Sequence, residues 1–216
     1  MQGIDQINEA TKDLFESERL FNRGRIEKYA QKHQVCPFEF SLAMASISDA
    51  IIGDYNYMFD PKAYLRRFFD EPSQHIALID EAHNLYDRAC QMYSVSLNQE
   101  PIQELKRLFK NRHKTLAKSL GNLNMKFIEY RHELEEEKTS DLFKREVDQS
   151  FLNRVQDTLE RIEKYLYQEP DTEYKPQLIS LYFDLHHFLR ISEFYHDAFR
   201  IRYERFGFDN NQADAM

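Results

Sequence analysis

Glycine and proline are scarce in this chain of 216 residues, with 5 and 6 copies. Average usage would give about 15 glycines. The five glycines, at positions 3, 24, 53, 121 and 207, are too far apart to form a P-loop or a dinucleotide-binding fingerprint. Together with 31% charged residues, this composition favours long helices over a turn-rich β fold and excludes a glycine-built phosphate cradle.

Cysteine and long apolar runs are scarce as well. Two cysteines exclude a disulfide scaffold, and neither C-x-x-C nor H-E-x-x-H occurs, so a self-contained zinc site is not expected. No apolar run approaches the roughly 18 residues of a membrane span, and the first residues show no signal-peptide pattern. We therefore expect a cytosolic protein with reduced thiols. Its net charge of −8 disfavours a general polyanion binder but leaves room for a local basic patch.

The first 80 residues mix helical and strand signals. Apolar residues at helical spacing predict helices within residues 4–21, 26–35 and 38–47. Two short apolar runs, Ala50–Ile52 and Ile76–Ile79, have the length of buried strands, and Pro61 can open a helix between them. Two buried strands joined by a helix predict part of a parallel sheet.

The rest of the chain is dominated by longer helical patterns. Three apolar stripes run through residues 102–123, 143–166 and 178–188. Such stripes predict three or four amphipathic helices in an antiparallel bundle, with Gly121 as a soft point. Near the end, residues 199–204 alternate apolar and charged side chains like a half-buried strand. The predicted fold class is mainly α, a helical bundle insert attached to a partial α/β sheet.

The strongest chemical motif is HIALIDEAHNL, residues 75–85. An apolar strand that ends in two adjacent carboxylates places them where α/β sheets bind their ligands. In nucleotide hydrolases, an Asp there holds Mg²⁺ and the next Glu orients or activates water, so Asp80 is the candidate magnesium ligand and Glu81 the candidate base. His83 could couple this site to a neighbouring motif. The alternative is a strand end followed by the acidic start of a helix.

This motif has a family context. ALIDEAHNL, preceded by DAIIGDYNYMFDP at 49–61 and VCPFEF at 35–40, resembles the XPD-like, DinG-type DNA helicases. In that family the first motor domain is interrupted by a four-cysteine [4Fe–4S] domain and, after D-E-A-H, by a helical arch. The resemblance implies four parts: residues 1–46 as a remnant of the cluster domain, 47–92 as part of the first motor domain, 93–185 as the arch, and 186–216 as the return to the motor domain, with a frayed tail from Asp209.

The departures from the family pattern imply a fragment. The P-loop, three of the four cluster cysteines and the second motor domain have no counterpart here. The parent is expected to bind ATP, Mg²⁺ and a [4Fe–4S] cluster, and this chain none of them. By resemblance Cys36 matches the last cluster cysteine, whereas from the residues alone it could be a packed thiol. Cys90 is expected in the core.

Two segments are candidates for contact with DNA near the strand signals. By resemblance, Tyr55, Asn56 and Tyr57 lie near the track of single-stranded DNA, where Tyr can stack on bases and Asn can bond phosphate or a base edge. A turn with a buried Tyr is the alternative. Arg66 and Arg67 could likewise bind DNA or anchor a helix.

A third candidate is a basic stripe. Lys106, Lys110 and Lys114 are four residues apart, which predicts one helix face that could follow a DNA backbone. The alternative is a solvated face that pairs with the acidic run at 133–137. His186–His187 lie within the third apolar stripe and are interpreted as structural.

The sequence thus predicts a fragment of an ATP-dependent 5′–3′ DNA helicase of DNA repair or replication, inactive alone. The expected partners are single-stranded or forked DNA and the remaining helicase domains, with no membrane, in a bacterial cytoplasm. The alternative function is a non-enzymatic helical module that binds protein or DNA.

Overall fold

The computed structural model describes residues 2–70 and 75–205, with side chains from Asp5 onward. The tail predicted from Asp209 lies outside these residues. Helices dominate, which confirms the mainly α fold class. The elements are α1 (Gln2–Ser17), α2 (Arg23–His33), α3 (Pro37–Ala45), α4 (Asn56–Phe59), α5 (Arg66–Phe69), a 3₁₀ turn (Ala82–Asn84), α6 (Leu85–Met92), α7 (Gln99–Phe109), α8 (Lys114–Glu136), β1 (Asp141–Lys144), α9 (Gln149–Gln168), α10 (Lys175–Ser192) and β2 (Ile201–Glu204).

The chain divides into two compact units. The first comprises Met1–Phe59 and Ala63–Ile79, and the second comprises Asp60–Lys62 and Asp80–Met216. Within the described residues, no helix has the length and apolar character that crossing a bilayer requires.

The first unit is built on α1, α2 and α3, which contact one another pairwise. Their shared core contains Ala10, Leu14, Ile26, Tyr29, Ala30, Phe40 and Met44. Asn22 caps α2, because its side chain accepts a hydrogen bond from the Arg25 amide at 3.1 Å. Gln34 ends the same helix in the left-handed region, at φ 55°. The helices predicted within residues 4–47 are therefore confirmed.

The two predicted strands of a parallel sheet are wrong for this structure. Residues 50–53 and 75–79 are irregular backbone, and neither segment pairs with another strand among the described residues. Their apolar side chains face solvent, with Ile52 103% and Leu78 95% exposed. A short apolar run becomes a buried strand only where neighbouring strands and a covering layer are available.

The second unit contains a four-helix bundle. Contacts link α7 to α8, α8 to α9, α9 to α10 and α10 back to α7, which closes the ring. The fully buried side chains at its centre are Ile102, Phe109, Leu116, Leu120, Leu123, Val155, Ile162, Leu178 and Leu185. These are positions of the three apolar stripes, so the predicted bundle is confirmed.

Two details of the bundle differ from the prediction. The first stripe is broken, because α7 ends at Phe109 and α8 begins only at Lys114, after a turn in which the His113 ring Nδ1 accepts the Leu116 amide at 3.2 Å. Similarly, α9 begins at Gln149, capped by Asp148, and Phe143 lies in β1. The predicted terminal strand is confirmed at residues 201–204. It pairs antiparallel with β1, with Leu142 opposite Tyr203.

Candidate functional site

The acidic motif lies between irregular backbone and a helix. Asp80 follows the irregular residues 75–79, and Ala82–Asn84 form a 3₁₀ turn that leads into α6. The Asp80 Oδ1 atom accepts a hydrogen bond from the Glu81 amide at 2.9 Å. Glu81 itself has φ 51° and ψ 35°, a left-handed conformation that few residues other than glycine adopt. The local turn therefore presents two successive carboxylates at the start of α6.

The structure brings Glu81 and His83 together. The His83 Nε2 atom lies 3.2 Å from the Glu81 Oε2 atom, and the two side chains are 74% and 66% exposed. A carboxylate next to an imidazole can orient a water molecule and accept its proton. Asp80 is also exposed, and its carboxylate suits Mg²⁺, which proteins bind through one or two carboxylates together with substrate phosphates. The three predicted residues are thus accessible in one short segment.

The two cysteines lie on the surface. Cys36 immediately precedes α3 and is exposed, which rules out the packed thiol. Cys90 is exposed on α6, so its predicted place in the core is wrong. The reason is helical geometry, since α6 buries Met92, and a residue two positions away points to the opposite side of a helix.

A [4Fe–4S] cluster does not fit this chain. Such a cluster takes four thiolates, and the sequence contains two cysteines. The described residues also bring together no group of three or more His, Cys, Asp or Glu side chains suited to a metal ion.

The Tyr55–Tyr57 segment forms the start of the single-turn helix α4. Asp54 accepts the Asn56 amide through Oδ1 at 2.9 Å, and Tyr57 is 38% exposed with its ring centroid 6.4 Å from that of Phe38. The Asn56 Oδ1 atom is buried without a hydrogen-bond partner among the described residues. Tyr55 is half-buried and Tyr57 remains accessible for stacking.

The arginine pair lies on α5, and both of its members are exposed. The Arg67 Nη2 atom is 3.3 Å from the Glu39 Oε2 atom of α3, so Arg67 links two helices of the first unit. This contact agrees with the anchoring alternative for Arg67 and leaves the role of Arg66 as a prediction.

The basic stripe does not share one helix face, which corrects the prediction. Lys106 lies on α7, Lys110 in the turn and Lys114 at the first position of α8. The four-residue spacing of the lysines continues through the turn between α7 and α8, where the chain is not helical and the spacing no longer predicts a shared face. The acidic run at 133–137 does not pair with these lysines within the described residues, since Glu133 contacts Lys144 and Glu135 contacts Arg205.

A polar network that no sequence motif marks joins α8 to the start of α9. The Asp148 carboxylate lies 2.8 Å from the Lys126 Nζ atom and accepts the Tyr130 hydroxyl at 2.8 Å. Its other oxygen accepts the Phe151 amide at 3.0 Å as the helix cap. Burial raises the pKa of Asp148, but the hydrogen bonds from Lys126, Tyr130 and the Phe151 amide outweigh burial and lower this pKa to about 2.

A small polar cleft is a second feature without a sequence signal. Lys62, Arg88 and His187 all line it, and all three belong to the second unit. They come from three distant parts of the chain, so no local motif or periodicity could have predicted that they meet.

A comparison with protein families finds a match over the segment that contains the candidate site residues. Residues 3–102 match the DEAD_2 family model, a range that includes Cys36, Tyr55–Tyr57 and the acidic motif. No solved structure matches the chain.

Two curated relatives are helicase subunits. The chain is 26% identical over 131 residues to the general transcription and DNA repair factor IIH helicase subunit XPD of Dictyostelium discoideum, which covers 61% of this chain and 15% of the relative. It is 27% identical over 88 residues to the corresponding subunit XPD/RAD3 of Saccharomyces cerevisiae, which covers 41% of this chain and 11% of the relative.

These matches set the limits of the comparison. The chain spans at most about a seventh of the length of either relative, so it corresponds to a part of them. Both relatives are eukaryotic, so the expectation of a bacterial protein finds no support. The DEAD_2 match and the two relatives support the resemblance expected from the motif: over part of its length the chain is similar to XPD-like helicases.

Proposed function

We propose that this chain is part of an ATP-dependent DNA helicase of the XPD-like group, acting in DNA repair with 5′–3′ polarity. The observation that carries the proposal is the Asp80-Glu81-Ala82-His83 segment, which lies exposed at the start of a helix inside the DEAD_2 region. The named activity of both relatives, a helicase subunit of a transcription and DNA repair factor, supports it.

The proposed roles follow from the side chains present. ATP with Mg²⁺ supplies the phosphoanhydride to be cleaved, and the Asp80 carboxylate would hold the metal. Glu81 would orient the attacking water and accept its proton, and the His83 imidazole at 3.2 Å would position the Glu81 carboxylate. His83 is exposed, so its opposite side is also available to contact a neighbouring motif of the parent.

The exposed apolar segments support a place in a larger sheet. Two apolar segments of strand length precede the DEAH motif in the chain. Their large side chains are 60–103% exposed, namely Ile51, Ile52, Ile76 and Leu78. Soluble proteins seldom leave such residues uncovered in series. We assign residues 47–92 to a motor domain whose other strands would cover these side chains, residues 93–185 to the arch, and 186–216 to the return into the motor domain.

The cluster assignment concerns the parent protein. We propose residues 1–46 as the end of the cluster domain and Cys36, exposed next to α3, as one of four ligands. In the parent, Cys36→Ser should bleach the iron–sulfur absorption and Cys90→Ser should leave it intact. Bleaching by both variants, or by neither, would remove Cys36 from the ligand set.

DNA is the proposed partner of the parent, together with its remaining helicase domains. Tyr57 offers an exposed ring for base stacking, and Tyr55 and Asn56 lie in the same turn. Arg66, Arg67, Lys106, Lys110 and Lys114 are the candidate contacts to the phosphate backbone of single-stranded or forked DNA.

The 216-residue chain alone should not hydrolyse ATP. Nucleotide phosphates need backbone N–H groups and a lysine around them, and the glycines of this chain cannot form a P-loop. Phosphate release should stay at the background rate with and without single-stranded DNA. DNA-stimulated turnover that Glu81→Gln abolishes would show instead that this chain is a complete ATPase.

The helicase proposal itself is tested on the complete reading frame. Genomic sequence around the segment should encode a G-K-[ST] loop and three further cysteines in frame upstream. The full-length protein should unwind a duplex with a 5′ overhang, and Glu81→Gln should reduce this rate by at least about 100-fold. A full-length protein with neither ATP hydrolysis nor unwinding would contradict the proposal.

A second candidate function is a non-enzymatic helical module. The observation that favours it is the four-helix bundle, whose core is formed entirely by its own residues, with an apolar groove of about 230 Å³ between α9 and α10. A stop codon and a start codon at the ends of the segment in the genome would favour this module over the helicase part.

A further inference from the structure

A cleft of about 160 Å³ opens on the second unit beside α6. Its lining includes Asp60, Lys62, Arg88, Gln91, Met92 and His187. Two of these side chains are cationic and three others carry polar atoms that face a common space. Ligand pockets for larger molecules span roughly 300–1,000 Å³, so this cleft suits a single small polar group.

The cations of the cleft are not neutralised by neighbouring acids. Among the described residues, neither Lys62 nor Arg88 has a carboxylate within the 4.0 Å of an ion pair, although the chain has a net charge of −8. The Arg88 Nη1 atom donates to the Gln91 Oε1 atom at 3.3 Å, a neutral acceptor that holds the guanidinium in place. Two cations without close ion-pair partners in one cleft create a local positive potential, which favours an anionic ligand.

Asp60 offsets only one of the two positive charges, and His187 adds none. The Asp60 Oδ1 atom accepts a hydrogen bond from the Lys62 backbone amide at 2.9 Å, so this carboxylate stabilises the turn in which it lies. Burial, and then the charge of Lys62, lower the pKa of His187, which keeps the ring neutral near pH 7. One acid against Lys62 and Arg88 leaves a formal charge of +1 in the lining, with the imidazole as an additional hydrogen-bonding group.

We propose that this cleft binds one phosphate group of a single-stranded DNA backbone. The Arg88 guanidinium would bind the phosphate through two N–H donors. Lys62 would contribute a second positive charge, and His187 would donate a hydrogen bond. The cleft is too small for a base with its sugar, so it positions the strand without reading its sequence. The assignment rests on the proposed DNA function and adds two contacts, Lys62 and Arg88, to those expected from the sequence.

The test is strand binding by the purified 216-residue chain. Fluorescence anisotropy with a labelled oligodeoxythymidine of about 15 nucleotides, titrated at several salt concentrations, gives the affinity and its salt dependence. Lys62→Ala and Arg88→Ala should each weaken binding roughly threefold to tenfold, and each should lower the slope of log K against log salt by about 0.7. Arg88→Lys should restore the slope and only part of the affinity, because it keeps the charge but loses the fork.

Lys175→Ala is the matched control. Lys175 is an exposed cation at the opposite end of α10 from His187 and does not line the cleft. Its removal changes the net charge as much as Lys62→Ala does and should leave the affinity within about twofold. Thermal melts of all variants establish that each is folded.

The outcomes separate the cleft from the helicase proposal. Strand binding that is the same in the wild type, Lys62→Ala and Arg88→Ala would overturn the cleft and leave the DNA function intact. Absence of strand binding by the wild type would also overturn the cleft as a DNA site, while the full-length unwinding assay decides the helicase proposal independently. Shifts of the His187 ring signals with inorganic phosphate but not with the strand would identify a free-anion site and contradict the DNA assignment.

Discussion

Asp148 shows how one side chain can connect two helices of the bundle. Its carboxylate caps α9 through the Phe151 amide and contacts Lys126 and Tyr130 of α8. Lys126 is 9% exposed and also contacts Glu129 at 2.6 Å, so the cation is compensated twice. The pKa of Tyr130 is raised by burial and by its hydrogen bond to Asp148, which keeps the hydroxyl protonated as the donor.

This network predicts a pH-dependent stability. The pKa of Asp148 falls from 3.8 in the unfolded chain to about 2 in the folded protein, so its contribution is present above about pH 4 and is lost as the pH falls through 2. Asp148→Asn keeps a capping side chain but loses the charge. It should lower the free energy of unfolding by about 1–2 kcal/mol at pH 7, as measured by urea denaturation.

Asp157→Asn is the control for this prediction. Asp157 lies on the same helix and pairs with Arg161 at the surface, with both side chains more than 40% exposed. Its substitution should change the free energy of unfolding by less than about 0.5 kcal/mol. An equal effect of both substitutions, or an Asp148→Asn effect that is unchanged at pH 2, would contradict the role given to the network.

The site residues that the sequence identifies are neighbours in the chain, whereas those that it misses are far apart in the chain. Asp80, Glu81 and His83 are adjacent in the chain, so a motif finds them, and their contact follows from one turn. Asp148 and Lys126 meet only because α8 and α9 pack antiparallel, and no local pattern encodes that meeting. The prediction of a buried Cys90 fails because exposure depends on the face of the helix that a residue occupies, and α6 buries Met92 instead.

At the scale of elements, helical periodicity was informative wherever the apolar stripe was long. The stripes predicted at 102–123, 143–166 and 178–188 correspond to α7 to α10, except that the second stripe begins in β1 and enters α9 only at Gln149. A period of 3.6 maintained over many residues is typical of an amphipathic helix. The break at 110–113 was missed because the charge spacing happens to continue through it. The runs at 50–52 and 76–79 failed as strands because a strand depends on its neighbours, which a local pattern does not contain.

Gly121 offers a prediction at this scale. It lies inside α8, which continues through it to Glu136, so the predicted soft point is an ordinary helical position. A Cβ there would have the Lys106 Cε atom as a neighbour at 3.7 Å, which is normal van der Waals contact. Gly121→Ala should therefore raise the free energy of unfolding by about 0.5–1 kcal/mol, seen as a higher melting temperature by circular dichroism.

Gly53→Ala is the comparison for Gly121→Ala. Gly53 lies in irregular backbone, and its nearest neighbour for a Cβ is the Tyr57 ring at 3.9 Å, so the substitution gains no helical propensity. We expect its melting temperature to stay close to that of the wild type. A destabilised Gly121→Ala would mean that α7 and α8 pack more closely than the structure shows.

At the scale of the whole molecule, the two units differ in how completely each covers its apolar residues. The bundle buries fourteen core residues against one another, with aromatic contacts such as Phe109 to Tyr165 at 5.0 Å. In the first unit, a seven-residue helical core stands beside the uncovered Ile51, Ile52, Ile76 and Leu78. We infer that the bundle is the independent folding unit and that the segments before the DEAH motif are only marginally stable without a covering partner.

Hydrogen exchange can measure this difference residue by residue. The slowest amides should lie within 102–109, 116–134, 151–166 and 178–191, because their hydrogen bonds open only when the bundle core unfolds. Amides of 50–53 and 76–79 should exchange fastest, since they take part in no backbone hydrogen bond among the described residues, and the turn at 110–113 should exchange faster than the helices on either side. Strong protection at 76–79 would mean that this apolar run is already paired in the chain alone. The exposed apolar segments would then no longer support a place in a larger sheet, and the helicase proposal would rest on the motif and the relatives.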